Sequence, residues 1–239
     1  MVYGDSVVNG GNLTDQSRLG TSILQRTLAK ELDRPVIVGN ISAGSWGPPN
    51  EFAYLKQYGF LDADIVVLVL SSSDYNDAPT FEPLDPLTHP TEAPISALWE
   101  GLTRYLPRYL HGQTVNQSGV VPDAQDVANK RDIEVSLSAE RDFLEMAKAY
   151  SVKVLVLQHW TASEVRDHKA LQGHTDIRRV AVDTAVPICD DSDTMQAFLD
   201  MHKNPYRDDI HLNEDGQKAM ADLLLGVLKS QFPDVLMRK

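Results

Sequence analysis

The stretch Ile65-Val66-Val67-Leu68-Val69-Leu70, introduced by Asp64, is apolar at every position and rich in β-branched side chains. A strand with one wet face alternates polar and apolar residues. A continuous run of this kind is buried on both faces, as strands are inside a parallel sheet. Helices must then cover both faces, and the rest of the chain supplies them. Thr14-Asp15 can cap a helix whose Leu19, Ile23, Leu24, Thr27, Leu28 and Leu32 follow 3.6-residue spacing. Pro35-Val36-Ile37-Val38 reads as a buried strand ending near Asn40, after a stub of strand at Met1 to Tyr3. A loop with Gly44, Gly47, Pro48 and Pro49 then leads to a short helix over about 51–58. Further on, the pattern predicts a helix over 138–150, a strand over 152–158, a helix over 164–180 and a short strand over 186–189. A last helix carries Met220, Leu223, Leu224, Val227 and Leu228 on one face. Repeated βα units of this kind predict an α/β fold with an open parallel sheet between helices.

Between Ala78 and about Lys130 the character changes. Seven of the thirteen prolines fall there (Pro79, Pro83, Pro86, Pro90, Pro94, Pro107 and Pro122), around one helix carrying Trp99, Tyr105 and Tyr109. This segment reads as an insertion laid over a single domain spanning residues 1–239. The composition, with 42% hydrophobic and 23% charged residues, excludes disordered and fibrous classes. With 22 basic and 34 acidic residues the net charge is −12, which argues against a nucleic-acid partner. The single cysteine, Cys189, excludes a disulfide framework and a cysteine-based zinc site. The longest apolar run is far short of the ~20 residues of a membrane span.

In open parallel sheets, ligands bind beyond the carboxyl ends of the strands. Polar clusters fall there: Gly4-Asp5-Ser6 after the first strand, Asn40 to Gly47 after the second and Ser71 to Asp77 after the third. A serine becomes a nucleophile only if a base takes its proton and a third group orients that base. Asp208 and His211, three residues apart just before the last helix, can be brought together by one turn, the imidazole then facing Ser6. Asp209 is the competing carboxylate but tends to point away from His211. Singly, a Gly-Asp-Ser tripeptide is usually a turn and an Asp/His pair usually a solvated one; their joint placement is the signal. Asp190, Asp191 and Asp193 read as an exposed acidic loop in preference to a cation site. His159, His168, His174 and His202 show no ligand spacing, although His159 and Trp160 stand where they can border a pocket. Ser42 reads as structural.

With these residues in place the chain resembles the GDSL, or SGNH, hydrolase superfamily. Tyr3-Gly4-Asp5-Ser6 is similar to its first block, Asn40-Ile41-Ser42-Ala43-Gly44 to its second, Ser71 to Asp77 stands at its third, and Asp208-Asp209-Ile210-His211 matches its last. The resemblance implies a flavodoxin-like three-layer α/β/α sandwich with a central parallel sheet of five strands. It also implies a serine esterase mechanism without metal or organic cofactor, with Ser6, Asp208 and His211 catalytic. The oxyanion hole would comprise the Ser6 N–H, a backbone N–H of Gly44 or Ser45, and a side chain of the third block. Counting through the strand puts the family's Asn at Ser73 and its Asp at Asp74, whereas an Asn-Asp pair appears as Asn76-Asp77, so Asn76 and Ser73 both remain candidates.

A polar, Pro-rich insertion with Trp99, Arg104, Tyr105 and Arg108 suits a sugar-bearing ester better than a long acyl chain, which wants an apolar groove. The expected activity is therefore hydrolysis of short O-acyl groups, O-acetyl above all, on a carbohydrate, with Trp46, Asp74 and Trp99 contacting substrate. The expected partner is a small-molecule or glycan ester, with no nucleic acid and no membrane span. Rival expectations are an O-acyltransferase or a lipase or thioesterase on the same triad, and, from another class, a non-catalytic carbohydrate-binding relative. A first strand of three residues is short for this architecture, which suggests residues upstream of Met1 and, with the family's habit, a secreted or periplasmic protein.

Overall fold

The computed structural model describes residues 1–11, 13–80, 92–106 and 130–237. The chain separates into two compact units, Thr80–Ala128 and the remainder, Met1–Pro79 with Asn129–Lys239. The larger unit is an α/β/α sandwich. In chain order its first part holds β1 (Val2–Gly4), α1 (Ser6–Asn9), α2 (Gly20–Leu32), β2 (Asn40–Ser42), α3 (Pro48–Tyr58) and β3 (Ile65–Ser71). The smaller unit contributes α4 (Ala97–Glu100), capped by the Ser96 hydroxyl and continued by a wide turn over Gly101–Tyr105. Its Arg104 pairs with Glu100 at 2.7 Å. Arg108 and Tyr109, expected on the same helix, lie outside the described residues.

The larger unit resumes with α5 (Lys130–Ala149), β4 (Lys153–His159), α6 (Ala162–Asp167), α7 (Gln172–Asp183), β5 (Ile188–Asp190), α8 (Ser192–Asp200), α9 (Glu214–Gln231) and α10 (Pro233–Leu236). The five strands are parallel in the order β2-β1-β3-β4-β5. The continuous apolar run is the central strand β3, and its side chains divide by parity. Val67 and Val69 join Leu24, Leu28, Met220 and Leu224 of α2 and α9 on one face, while Val66, Leu68 and Leu70 join Leu55, Phe143, Leu144 and Ile177 of α3, α5 and α7 on the other. Strand alternation thus feeds two apolar cores, each sealed by helices.

Several elements differ from the sequence expectation, beginning with α2, which starts at Gly20 while Asp15 caps a separate 3-10 turn over Gln16–Arg18. Residues 35–38 form no strand, and Ile37 is 88% exposed. The ladder between β1 and β2 takes in only Asn40–Ser42, paired with Val2–Gly4. The helix expected over 164–180 is two helices. His168 adopts a left-handed conformation (φ 50°) that ends α6, and Glu164 accepts the Leu171 N–H at 2.9 Å to hold the break. Helix α8 follows β5 where the sequence reads as an acidic loop.

Candidate active site

Successive strands are added to one side of β1 and then to the other, so the topological switch point lies between β1 and β3, and the crevice at their carboxyl ends is where a ligand site is expected. Ser6 emerges there. Asp5 caps α1 by accepting the Val7 N–H at 2.8 Å, which turns the chain sharply out of β1 and leaves Ser6 as the first helical residue. Gly4 permits that turn, because a Cβ would lie 2.6 Å from the Val8 side chain. The short helix is tied down from three sides. Gln217 of α9 donates to the Val7 carbonyl at 2.7 Å, Asn40 to the Val8 carbonyl at 3.0 Å, and Asn9 to the Ser42 carbonyl at 3.3 Å.

Opposite Ser6 stands the loop before α9. One oxygen of Asp208 accepts the backbone N–H groups of Ile210 (3.0 Å) and His211 (2.7 Å), and the other meets His211 Nδ1 at 2.7 Å. His211 Nε2 lies 2.8 Å from Ser6 Oγ. Burial works against the charge on Asp208, but the hydrogen bonds from the His211 backbone and ring outweigh it, and its pKa falls below the usual carboxylate value. An ionised Asp208 fixes a proton on Nδ1 and leaves Nε2 as the acceptor for the Ser6 hydroxyl. Asp209 is turned away, bonded to the Ser163 N–H and hydroxyl at 2.9 Å each.

No family model and no curated protein matches the chain by sequence. Solved structures do match it. A lipolytic G-D-S-L family protein from Veillonella parvula superposes with a TM-score of 0.56 at 12% identity, over 95% of this chain and 96% of that one. An acetyl xylan esterase, AlAXEase, gives a TM-score of 0.56 at 16% identity, over 95% and 98%. TesA gives a TM-score of 0.58 at 16% identity, over 96% and 97%. This chain has the GDSL hydrolase fold.

The segments likened to the second and third blocks are β2 with the loop that follows it and the turn that leaves the end of β3, and each expected residue can be located there. Gly44 is exposed, and a Cβ on it would meet nothing within 4 Å; Ser45 is left-handed (φ 58°). Gly47 is the sterically demanding glycine, since a Cβ there would lie 2.5 Å from the Asp77 carbonyl oxygen. The second-block loop is therefore pressed directly onto the end of the third. Trp46 packs at 5.9 Å between ring centroids on Tyr54 of α3.

Ser72 to Asn76 form a 3-10 turn. Ser73 is exposed, with its hydroxyl 3.0 Å from that of Ser71, and Asn76 is half-buried beside Asp77. Asp74 is not available to substrate. It is 2% exposed and its carboxylate accepts the Ser71 N–H at 2.6 Å, so it caps the turn from inside. Trp99 belongs to the smaller unit.

The structure also shows groups that the sequence reading misplaced. His159 does not border a pocket: it is fully buried, as is Asp191, which the sequence put in an exposed loop. His159 Nδ1 meets Asp191 at 2.6 Å, and its Nε2 meets the carbonyl of Ile210, inside the 208–211 loop, at 2.8 Å. The signal was present in the topology, because the two residues close the neighbouring strands β4 and β5. It needed the strand order to be read.

Proposed function

We propose that the protein is a serine carboxylic-ester hydrolase acting on short O-acyl groups, O-acetyl in particular, carried by a carbohydrate. The observation that carries this reading is the unbroken chain from Ser6 Oγ through His211 to Asp208, at 2.8 Å and 2.7 Å. In the first step Ser6 Oγ attacks the ester carbonyl while His211 Nε2 takes its proton. The tetrahedral intermediate then collapses, the C–O bond to the alcohol breaks and His211 returns the proton to the leaving oxygen. Water, deprotonated by the same imidazole, attacks the acyl-serine; the bond from the acyl carbon to Ser6 Oγ breaks, His211 returns the proton to Oγ and the acid leaves.

The developing oxyanion needs donors already in place. As the first residue of a helix, Ser6 has an N–H without an intrahelical acceptor. The N–H of Gly44 or Ser45 and the Asn76 side chain complete the set. Asn76 is favoured over Ser73 because the contact of Gly47 with Asp77 draws that part of the turn to the second-block loop, while the Ser73 hydroxyl is engaged with Ser71.

The preference for an acetylated glycan is supported by AlAXEase, an acetyl xylan esterase on the same fold, and by a two-domain esterase active on acetylated mannans (TM-score 0.57, 12% identity, 48% of that chain covered). Trp46 is proposed to stack on a sugar face, and residues 1–239 to be a single catalytic domain carrying the 78–130 insertion.

Hydrolysis of p-nitrophenyl esters of increasing chain length tests this. Acetate and propionate esters turn over fastest, and Ser6→Ala lowers the rate by about 10³-fold or more and abolishes fluorophosphonate labelling. A folded wild type that neither hydrolyses nor labels would overturn the esterase reading; a maximum at long chains would overturn the substrate class.

A further inference from the structure

The His159–Asp191 pair lies outside the triad yet touches its loop. Both members are completely buried. The two ring nitrogens of His159 face acceptors, a carboxylate at 2.6 Å and a peptide carbonyl at 2.8 Å. A carbonyl oxygen cannot donate, so Nε2 must carry a proton. A carboxylic acid is a far stronger acid than an imidazolium, so the proton shared with Asp191 resides on Nδ1 and the Asp191 carboxylate accepts it in a hydrogen bond. The second oxygen of Asp191 is taken by the Trp160 N–H at 2.8 Å, which leaves the carboxylate saturated and its orientation fixed.

The ring's other contacts converge on the same loop. Tyr206, just ahead of it, lies 5.9 Å from the His159 ring and donates its hydroxyl to the Trp160 carbonyl at 2.6 Å. The Ala162 N–H donates to the Asp209 carbonyl at 2.7 Å. The end of β4 and the turn after it thus grip residues 206–211 at several points, and His159 is the titratable side chain of that grip that reaches the backbone between Asp208 and His211.

We propose that His159 is a buried imidazolium, held by Asp191, that positions the 208–211 loop so that His211 faces Ser6. The inference rests on reading Ser6, His211 and Asp208 as a hydrolytic triad. The titratable groups facing the ring are Asp191 from the turn after β5, Asp5 from the turn after β1 and Tyr206 from the loop itself. Burial disfavours the charge, but Asp191, the Ile210 carbonyl and Asp5 together hold the His159 pKa up to about 9. Above that value the ring keeps its proton towards Asp191 and turns a lone pair on the Ile210 carbonyl, and the loop is released.

The test follows the rate of Ser6 labelling by a fluorophosphonate against pH, together with 15N NMR of the histidine rings. In the wild type, His159 shows both ring nitrogens protonated at pH 7.5, and labelling declines above about pH 9 as that ring loses its proton. His159→Gln, whose amide donates without titrating, loses this alkaline decline and labels up to about 10²-fold more slowly from misplacement of His211. Asp191→Asn removes the counter-charge and moves the decline to lower pH, which a purely structural contact would not do. A singly protonated His159 at pH 7.5, or variants whose pH profiles match the wild type, would overturn the proposal. If the wild type fails to label, the esterase reading falls. The positioning role is then decided by the His211 ring resonances, which shift in His159→Gln if His159 places the loop and stay fixed if it does not.

Discussion

Single atoms decide which side chains of this site can act. Asp208 and Asp209 are adjacent in sequence and equal in charge, but only Asp208 reaches Nδ1 of His211, because its other oxygen is locked by two backbone N–H groups. The same economy separates Asn76 from Ser73. Both stand on one 3-10 turn, and the donor must be the side chain not already paired within the turn. Asn76→Ala is therefore expected to lower kcat by about 10²–10³-fold with little change in KM, as loss of one oxyanion donor does. Ser73→Ala should stay within a few-fold of wild type in the same steady-state assay, and a reversed outcome would move the donor to Ser73.

Elements bring those side chains together by close backbone approach. The second-block loop is held against the third at Gly47, and α7 is held against the same turn at Gly173, where a Cβ would fall 1.8 Å from the Ser72 carbonyl oxygen. Gly44, by contrast, has open space around it and no left-handed φ. Gly47→Ala should cost about 1–3 kcal/mol in chemical denaturation, the usual range for forcing atoms into a packed contact. Gly44→Ala should leave both stability and hydrolysis near wild type, since nothing stands where its Cβ would lie and the proposed contribution of this loop is a backbone N–H. Equal stability of the two variants would show that the loops are not pressed together. The elements themselves were readable in part. The β3 run and the apolar stripe of α2 announce themselves by pattern, whereas the start of α2 at Gly20 instead of after Thr14-Asp15, the loss of the expected strand at 35–38 and the break at His168 are not marked locally.

For the molecule as a whole, the notable electrostatic feature is a set of buried acids, Glu51 on α3, Asp74 in the turn after β3 and Glu140 on α5. Burial raises the carboxyl groups of Glu51 and Asp74, and it raises Glu140 to about 9; neighbouring acids push each of the three further in the same direction. Neither Glu140 oxygen has a hydrogen-bond partner among the described residues. The sign follows from linkage. A carboxyl group whose folded pKa lies above its unfolded value of 4.5 gives stability that is full below pH 4.5 and is lost as pH rises through about 9. His159, also raised to about 9 from 6.5, contributes stability that is full below pH 6.5 and disappears over the same upper range. Melting temperature should accordingly fall between pH 6 and pH 9. Glu140→Gln should flatten that decline by up to about 1 kcal/mol per pH unit, and an unchanged slope would exclude Glu140 as its source. The sequence by itself determined the parallel α/β architecture and singled out Ser6, Asp208 and His211, three side chains that the fold brings within hydrogen-bonding distance, because buried strands and a three-residue Asp-His spacing leave local marks. Only the tertiary structure decided that Asp74 is an internal cap, that Asp191 is buried against His159, and that Gly47, not Gly44, is the glycine in close contact. Those outcomes depend on which distant backbones meet, and burial is a property of the assembled fold that no single stretch of chain carries.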